Sequence, residues 1–461
     1  VGIVFRLFSA SGSAINTPSG IQEHRPLGGF VDGVIGEGEK LVAWAKAPKF
    51  IRPPHPVPER HMKLIGLVGI ATLLGAYDLN IFGLAAKQVL TEFGKPETAT
   101  GTTIAIFRLG VFGALILCLM ADVIGRRKLL LFTILGMALS TLATAFAPNY
   151  ESFLAAQFCV RVFAYTEDML CIVVIAEEFE ERTRGWAIST LGALSALGGG
   201  VAVIVFTLVA FLPGEWRAIY VIGAVPLLLL AWMRRGLPET RRFTEAQAGQ
   251  TRRRTIADGW RPMANLFATS PGRVGLMVLL VIPFAFGAAP TLALMPTYLQ
   301  NYHGFSPGAV GAAILGTGII GMVLAMWIGR HSDRIGRRPI ATVWLIITAG
   351  AFVLMYTTSS PALLIVSVLF GVFGLVAVGI QFEALGAELF PTESRATAQA
   401  VRFIFQILAG GLSLYLHGVF APDYGFADTV LLLVIPMPFA IIALFFIPET
   451  AGRTLEDITA K

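Results

Sequence analysis

Twelve apolar runs, each long enough to cross a bilayer as a helix, fill almost all of residues 62–447 and leave this chain few ways to fold. A hydrocarbon core of about 30 Å takes roughly 20 helical residues. The runs lie near 62–90, 100–120, 129–147, 152–176, 186–211, 216–234, 274–300, 308–329, 340–357, 361–388, 397–419 and 428–447. Lipid offers no partner to an exposed backbone N–H or C=O, so each segment must satisfy its own as a helix; a barrel would show weaker, alternating segments. Only 14% of the 461 residues are charged and 55% are hydrophobic, where a soluble domain carries about a quarter charged. The expected class is an all-α membrane protein.

The net charge of +6 does not point to nucleic acid, because the basic residues mark one membrane face. Arg126, Arg127 and Lys128, then Arg182 and Arg184, then Arg330, Arg334, Arg337 and Arg338, and a dense set from Arg234 to Arg273 fall in loops on one side; the other side holds Lys95 and Arg217. The positive-inside rule therefore predicts both ends of the chain in the cytoplasm, and the expected location of the body is a plasma membrane, the inner membrane of a bacterium. Residues 1–61 lack a basic stretch followed by a continuous apolar one and are expected to be a cytoplasmic tail. Cys118, Cys159 and Cys171 all fall inside apolar runs without metal-ligand or redox spacing, so no metal is expected.

A shift of 211 residues lays the two halves on one another. Asp122 meets Asp333; Gly125, Arg126 and Arg127 meet Gly336, Arg337 and Arg338; AEEFEERTRGWA (176–187) meets AELFPTESRATA (387–398). LPET (237–240) and IPET (447–450) follow at an offset of 210. The simplest organisation is two pseudo-symmetric six-helix bundles, 62–235 and 274–447, joined by a charged loop at 236–273 and followed by a cytoplasmic tail at 448–461; internal repeats of this kind characterise transporter folds.

These motifs carry a resemblance. ADVIGRRK (121–128), GRHSDRIGRR (329–338) and PETAGRTLED (448–457), together with the twelve spans, resemble the major facilitator superfamily over about residues 62–457. The first copy departs from the family pattern at Cys118, where Gly is usual. The resemblance implies alternating access between the halves, with Asp122, Arg126, Arg127, Glu239, Asp333, Arg337, Arg338 and Glu449 forming a cytoplasmic gate. Such clusters hold the halves together while the cavity faces outward and separate in the opposite state. An Asp near helix termini can accept hydrogen bonds from unsatisfied N–H groups, with Arg close enough to pair.

Several ionisable residues sit deep within the runs. Placing one at the centre of a lipid-facing helix costs on the order of 3 kcal/mol, so each should face a cavity or a partner. Asp78, in GAYDLN, stands near mid-depth where proton-coupled members similarly place an acid; it is the expected coupling site, with Glu167 and Asp168 as further candidates. A fixed ion pair with Arg108 or Arg161 is the competing reading for Asp78. Arg108, Arg161 and Arg402 offer planar cationic forks for an organic anion. Tyr77, Asn80, Tyr298, Gln381 and Glu383 are expected to add polar contacts to substrate.

No G-x-x-x-x-G-K-[ST] phosphate-binding loop occurs, so the energy is expected from a proton gradient with no cofactor. The PET segments are similar to the sugar porter branch, yet PFAFGAAP (283–290) lacks the Gln pair with which those carriers hold hydroxyls. The acidic first helix and inward Arg candidates look more like proton-coupled carriers of aromatic or other carboxylic acids. The leading expectation is a monomeric, non-enzymatic symporter for a small organic anion. A proton-coupled sugar transporter comes second, an efflux antiporter third, and a channel or a non-transporting receptor after these.

Overall fold

In the computed structural model, residues 53, 55, 57–236, 256–390 and 392–449 are described. Most of the expected tails and linker, and Glu239 with them, lie outside this set. The helices in chain order are α1 Glu59–Glu92, α2 Ala99–Arg108, α3 Gly110–Ile124, α4 Arg126–Ala145, α5 Tyr150–Glu178, α6 Glu181–Thr207 and α7 Trp216–Met233. After the linker come α8 Ile256–Thr269, α9 Pro271–Tyr302, α10 Pro307–Ile335, α11 Arg337–Thr357, α12 Pro361–Glu388, α13 Thr392–Tyr424, α14 Phe426–Val434 and α15 Ala440–Phe446. Because α2 and α3 continue one another, as do α14 and α15, the set makes twelve spans in two bundles of six.

Ten of these spans are long and apolar enough to cross a membrane on composition alone. The fourth, α5, carries Arg161, Glu167 and Asp168 along its middle, and α10 takes the eighth place. Most helices outrun their apolar stretches, α10 by six residues at its C-terminus, since a helix goes on satisfying its backbone after it leaves hydrocarbon. Start signals are local: Pro271, Pro307 and Pro361 each occupy a first helical position, where the missing N–H costs nothing, and Asn149 forms a capping box with Ser152.

Two features depart from the sequence reading. The linker, expected as a loop, contains α8, whose Leu266 is buried; a short amphipathic helix leaves no long apolar run to detect. Arg234, placed by sequence in the basic loop, is 0% exposed inside the first bundle. There it pairs with Glu167 and donates to the Leu67 carbonyl at 3.1 Å, because the partners that make its burial affordable come from other helices.

Within the first bundle α1 packs closely on α6: a Cβ on Gly198 would overlap the Leu73 carbonyl, so only Gly permits this approach. The halves meet along α2 with α13, α6 with α10 and α1 with α9. The loops carrying Arg126, Arg127, Arg337 and Arg338 share one end of the molecule, here the basic end. At the other end the halves are joined. Gln88 Nε2 donates to Gln300 Oε1 at 3.0 Å, Lys87 Nζ to the Gln300 carbonyl at 3.3 Å, and Tyr302 to Glu97 at 2.6 Å. Asn301 also donates to Glu97.

Candidate functional site

Between the halves lies a cavity of about 600 Å³. Its walls are mostly apolar, with Phe82, Leu84 and Phe107 from the first half and Phe284, Ala288, Leu292, Val372 and Leu375 from the second. Polar side chains are few: Asn80 of α1, Arg108 of α2, Arg161 and Tyr165 of α5, and Gln406 of α13. An apolar chamber with a small number of convergent polar groups is the usual form of a small-molecule site.

The two arginines are held differently. Arg161 is 5% exposed, with its guanidinium 5.4 Å from the centroid of the Phe107 ring, a cation–π contact, and its Nε has no hydrogen-bond partner. Arg108 crosses from the first half to the second: a Cβ on Gly410 of α13 would overlap its Nη1, and one on Gly411 would lie 3.4 Å from its Cβ. The bare backbone of this Gly pair makes room for the guanidinium.

Asp78 does not line the cavity. It is 0% exposed, accepts a hydrogen bond from Thr141 through Oδ2, and leaves Oδ1 without a partner. Arg161 is close enough for the two charges to interact. Arg161 thus lines the cavity and lies within electrostatic reach of the buried carboxyl, with no ion pair between the two. Tyr77, beside Asp78, is turned away: its hydroxyl donates to the Ile219 carbonyl at 2.8 Å and its ring packs beneath Gly223.

The adjacent acids of α5 separate as their 100° angular offset requires. Glu167 points into the first bundle and is taken by Arg234 and by Thr133 at 2.6 Å, so it does not meet the cavity. Asp168 turns toward α1, with Oδ1 buried and unpartnered, 3.9 Å from the position of a Cβ on Gly75.

In the second half, Arg402 bonds Gln399 at 2.6 Å and Gln406 at 3.1 Å, and so reaches the cavity through Gln406. Glu383 is 68% exposed and 3.7 Å from Arg402. Tyr298 does not line the cavity; it stacks with Tyr302 and packs at a tilt on Tyr356, at centroid distances of 5.2 and 4.6 Å. Gln381 is fully buried with neither amide atom partnered. The structure thus brings Asn80, Arg108 and Arg161 together at the cavity, while Asp78 is buried in the first bundle. Tyr165 and Gln406 are lining residues that sequence reasoning missed; each follows an expected arginine by four residues, one helical turn along the same face.

At the basic end, Arg126 pairs with Glu177 at 2.9 Å and Arg337 with Glu388 at 2.8 Å. Arg127 donates to the Arg235 carbonyl at 2.8 Å and Arg338 to that of Phe445 at 2.9 Å. Glu449 accepts from the backbone N–H groups of Arg337 and Arg338, at 2.9 and 3.1 Å, satisfying two donors at the start of α11. Each of these contacts lies within one half. The side chains of Asp122 and Asp333 lie outside the described residues.

A fold of two such bundles around a central cavity is found in known proteins. A Haemophilus influenzae protein named for metabolite transport is 29% identical over 405 residues, 85% of this chain and 97% of its own. A Cupriavidus pinatubonensis protein named for 4-methylmuconolactone transport is 27% identical over 402 residues, 84% of this chain and 90% of its own. The crystal structure of a D-xylose-proton symporter superposes with a TM-score of 0.69 over 86% of this chain and 100% of that one, at 19% identity. The family model described as Major Facilitator Superfamily matches residues 68–414 and again 277–460. The chain is a membrane transporter and belongs to the major facilitator superfamily.

Proposed function

We propose that this transporter is a proton-coupled symporter for small organic anions, aromatic or other carboxylic acids, working by alternating access. The observation that carries the reading is Arg161, which lines an apolar, aromatic-walled cavity and lies within electrostatic reach of the buried Asp78. With no substrate, Asp78 and Arg161 balance one another's charge. A substrate carboxylate entering the cavity draws the guanidinium to itself, and a carboxylate left without a counter-charge at membrane depth is stable only with a proton. Anion binding and proton uptake thereby become one event. Arg108 supplies the second cationic fork, Asn80, Tyr165 and Gln406 supply neutral hydrogen bonds, and the Phe walls suit an aromatic or aliphatic body.

The basic end is the cytoplasmic end by the positive-inside rule, with both termini on that side of a plasma membrane. The contacts of Gln88 and Glu97 with Gln300, Asn301 and Tyr302 close the outer side. Energy comes from the proton gradient without a cofactor, and the monomer is the working unit. The name of the Cupriavidus relative, 4-methylmuconolactone transport, supports a small metabolite as cargo. A sugar is less well served, since a hydroxyl-rich ligand needs many fixed donors and acceptors and α9 presents chiefly Phe284, Ala285, Ala288 and Leu292.

The test is uptake by purified protein in proteoliposomes, with benzoate as probe and xylose as comparison, with and without an imposed pH step. Benzoate should accumulate with the step. Asp78→Asn should abolish that accumulation and preserve exchange of preloaded benzoate; an Asn variant that still accumulates against the gradient refutes the coupling assignment.

A further inference from the structure

Proton coupling through Asp78 requires a way out for the proton, and Asp78 is fully enclosed. Asp168 is placed to provide one. On α5 it follows Glu167, which is already committed to Arg234 and Thr133, and it turns instead toward α1. Its Oδ1 is buried without a hydrogen-bond partner, as is Oδ1 of Asp78. The Asp168 Oδ1 lies 3.9 Å from the position a Cβ on Gly75 would take, and Gly75 precedes Asp78 by three residues.

The helix directions give the order along the membrane normal. The start of α1 and the end of α5 share the basic end, where the His61 and Phe179 rings pack at a tilt with centroids 4.8 Å apart. Gly75 therefore stands about 4.5 Å nearer the basic end than Asp78, and Asp168 about 10 Å nearer it than Arg161. Arg161, Asp78 and Asp168 form a descending series, and only the last two are acids. Asp168 keeps some accessible surface where Asp78 has none.

The charged and titratable groups around it have other engagements. Glu167 is held by Arg234; Arg161 lies over Phe107 and acts on Asp78; Cys118 of α3 faces Met169 and the Thr166 carbonyl; Cys171 faces Glu167 and the Val68 carbonyl. The threonines of α4 are likewise taken, Thr133 by Glu167 and Thr141 by Asp78. Among the described residues, Asp78 and Asp168 are the two carboxyl groups with a buried oxygen left without a hydrogen-bond partner.

We propose that Asp168 is the proton-exit relay of the transport cycle, an inference that rests on the symport reading. When substrate leaves, the Arg161 guanidinium returns to Asp78. The O–H bond of the Asp78 acid breaks, its proton passes through water to the Asp168 carboxylate and forms an O–H bond there, and Asp78 is left as a carboxylate beside Arg161. Asp168 then releases the proton to water at the basic end and is a carboxylate again. One proton has moved, and no other group has changed.

The experiment follows Asp78 directly and needs no cargo. Purified protein is jumped from acidic to alkaline pH while infrared absorption records the carbonyl band of the protonated Asp78 acid, identified by its loss in Asp78→Asn. In Asp168→Asn, which keeps the shape of the side chain, that band should decay slower by on the order of a hundred-fold. Asp168→Glu should restore most of the rate. An unchanged decay in Asp168→Asn, or a slowing that Glu does not relieve, overturns the relay. Benzoate-driven proton entry in wild-type proteoliposomes, read with a trapped pH dye, tests symport separately. Its absence with a normal Asp168 effect would remove the cargo cycle and leave the proton path standing, whereas a normal signal with no Asp168 effect would remove the relay alone.

Discussion

Arg337 Nη2 lies 2.8 Å from Glu388 Oε1, and the repeat-related pair 211 residues earlier, Arg126 and Glu177, stands at 2.9 Å. The same contact therefore closes the basic end of each half, between the third and fourth spans in one and the ninth and tenth in the other. Both pairs are partly buried, with side-chain exposures of 9 and 13% in the first half and 17 and 25% in the second. A pair shielded from water loses less to screening than a surface pair. It ties its own bundle together, which suits halves that rock as rigid bodies.

Gly336, just before Arg337, has φ 121° and ψ 145°, a conformation open to Gly alone, and a Cβ there would stand 2.8 Å from Glu449 Oε2. Gly336→Ala should destabilise the protein by about 1–3 kcal/mol from backbone strain, with a further loss as Glu449 is pushed off the start of α11. Gly125→Ala, at φ 103°, serves as the comparison for strain. Thermal unfolding in detergent should show a lower Tm for both and the larger fall for Gly336→Ala.

The buried Glu167–Arg234 pair lends itself to a sign test. Removing one partner leaves a charge enclosed without compensation, a loss of about 3–5 kcal/mol, whereas replacing both with apolar residues of similar volume is often neutral. Glu167→Leu and Arg234→Met should each lower Tm sharply, and the double variant should recover most of the loss. A double variant no more stable than the worse single one would mean that Arg234 is held chiefly by the Leu67 carbonyl.

Hydropathy made the twelve spans legible, and the repeat made the two halves legible, because bilayer thickness and internal symmetry both act over long stretches of chain. Pairings were harder to read. Glu167 and Arg234 stand 67 positions apart and meet only once α5 and α7 pack, so Arg234, the first charge after an apolar run, looked like the start of a loop. Arg108 and Arg161, which line the cavity, stood out in the sequence because charges at membrane depth are rare. Tyr77 and Tyr298 were misplaced at the site because a tyrosine serves equally well as core, and only tertiary packing separates the two roles. Helix spacing from Arg161 and Arg402 would have found Tyr165 and Gln406.

Gly410 carries a prediction about anion recognition. A methyl group there would displace the Arg108 guanidinium from its notch in α13. Loss of a hydrogen bond to a charged group costs about 1.5–3 kcal/mol, so Gly410→Ala should weaken benzoate binding by roughly ten- to a hundred-fold. Neutral benzamide should bind the variant and the wild type alike. Calorimetric titration of both ligands checks this, and an equal loss for the two would mean that the methyl group narrows the cavity.

The seal at the end opposite the basic loops hangs on Glu97, which takes hydrogen bonds from Tyr302 at 2.6 Å and from Asn301 across the gap between the halves. No bond of this kind holds the halves together once that side opens, so the carboxylate favours the closed arrangement by its differential contact energy. Glu97→Gln keeps the shape but removes the charge and one acceptor oxygen. A change of one or two kcal/mol is a factor of about 5–30 in a two-state ratio, so the population open on the Glu97 side should rise by that amount. Electron-spin distance measurements between labels on the 93–98 and 303–306 loops would show the longer-distance fraction growing. Tyr302→Phe should shift it the same way by a smaller step, since it removes one of the two bonds. Distances unchanged in both variants would place the seal at Gln88 and Gln300, whose side chains meet at 3.0 Å.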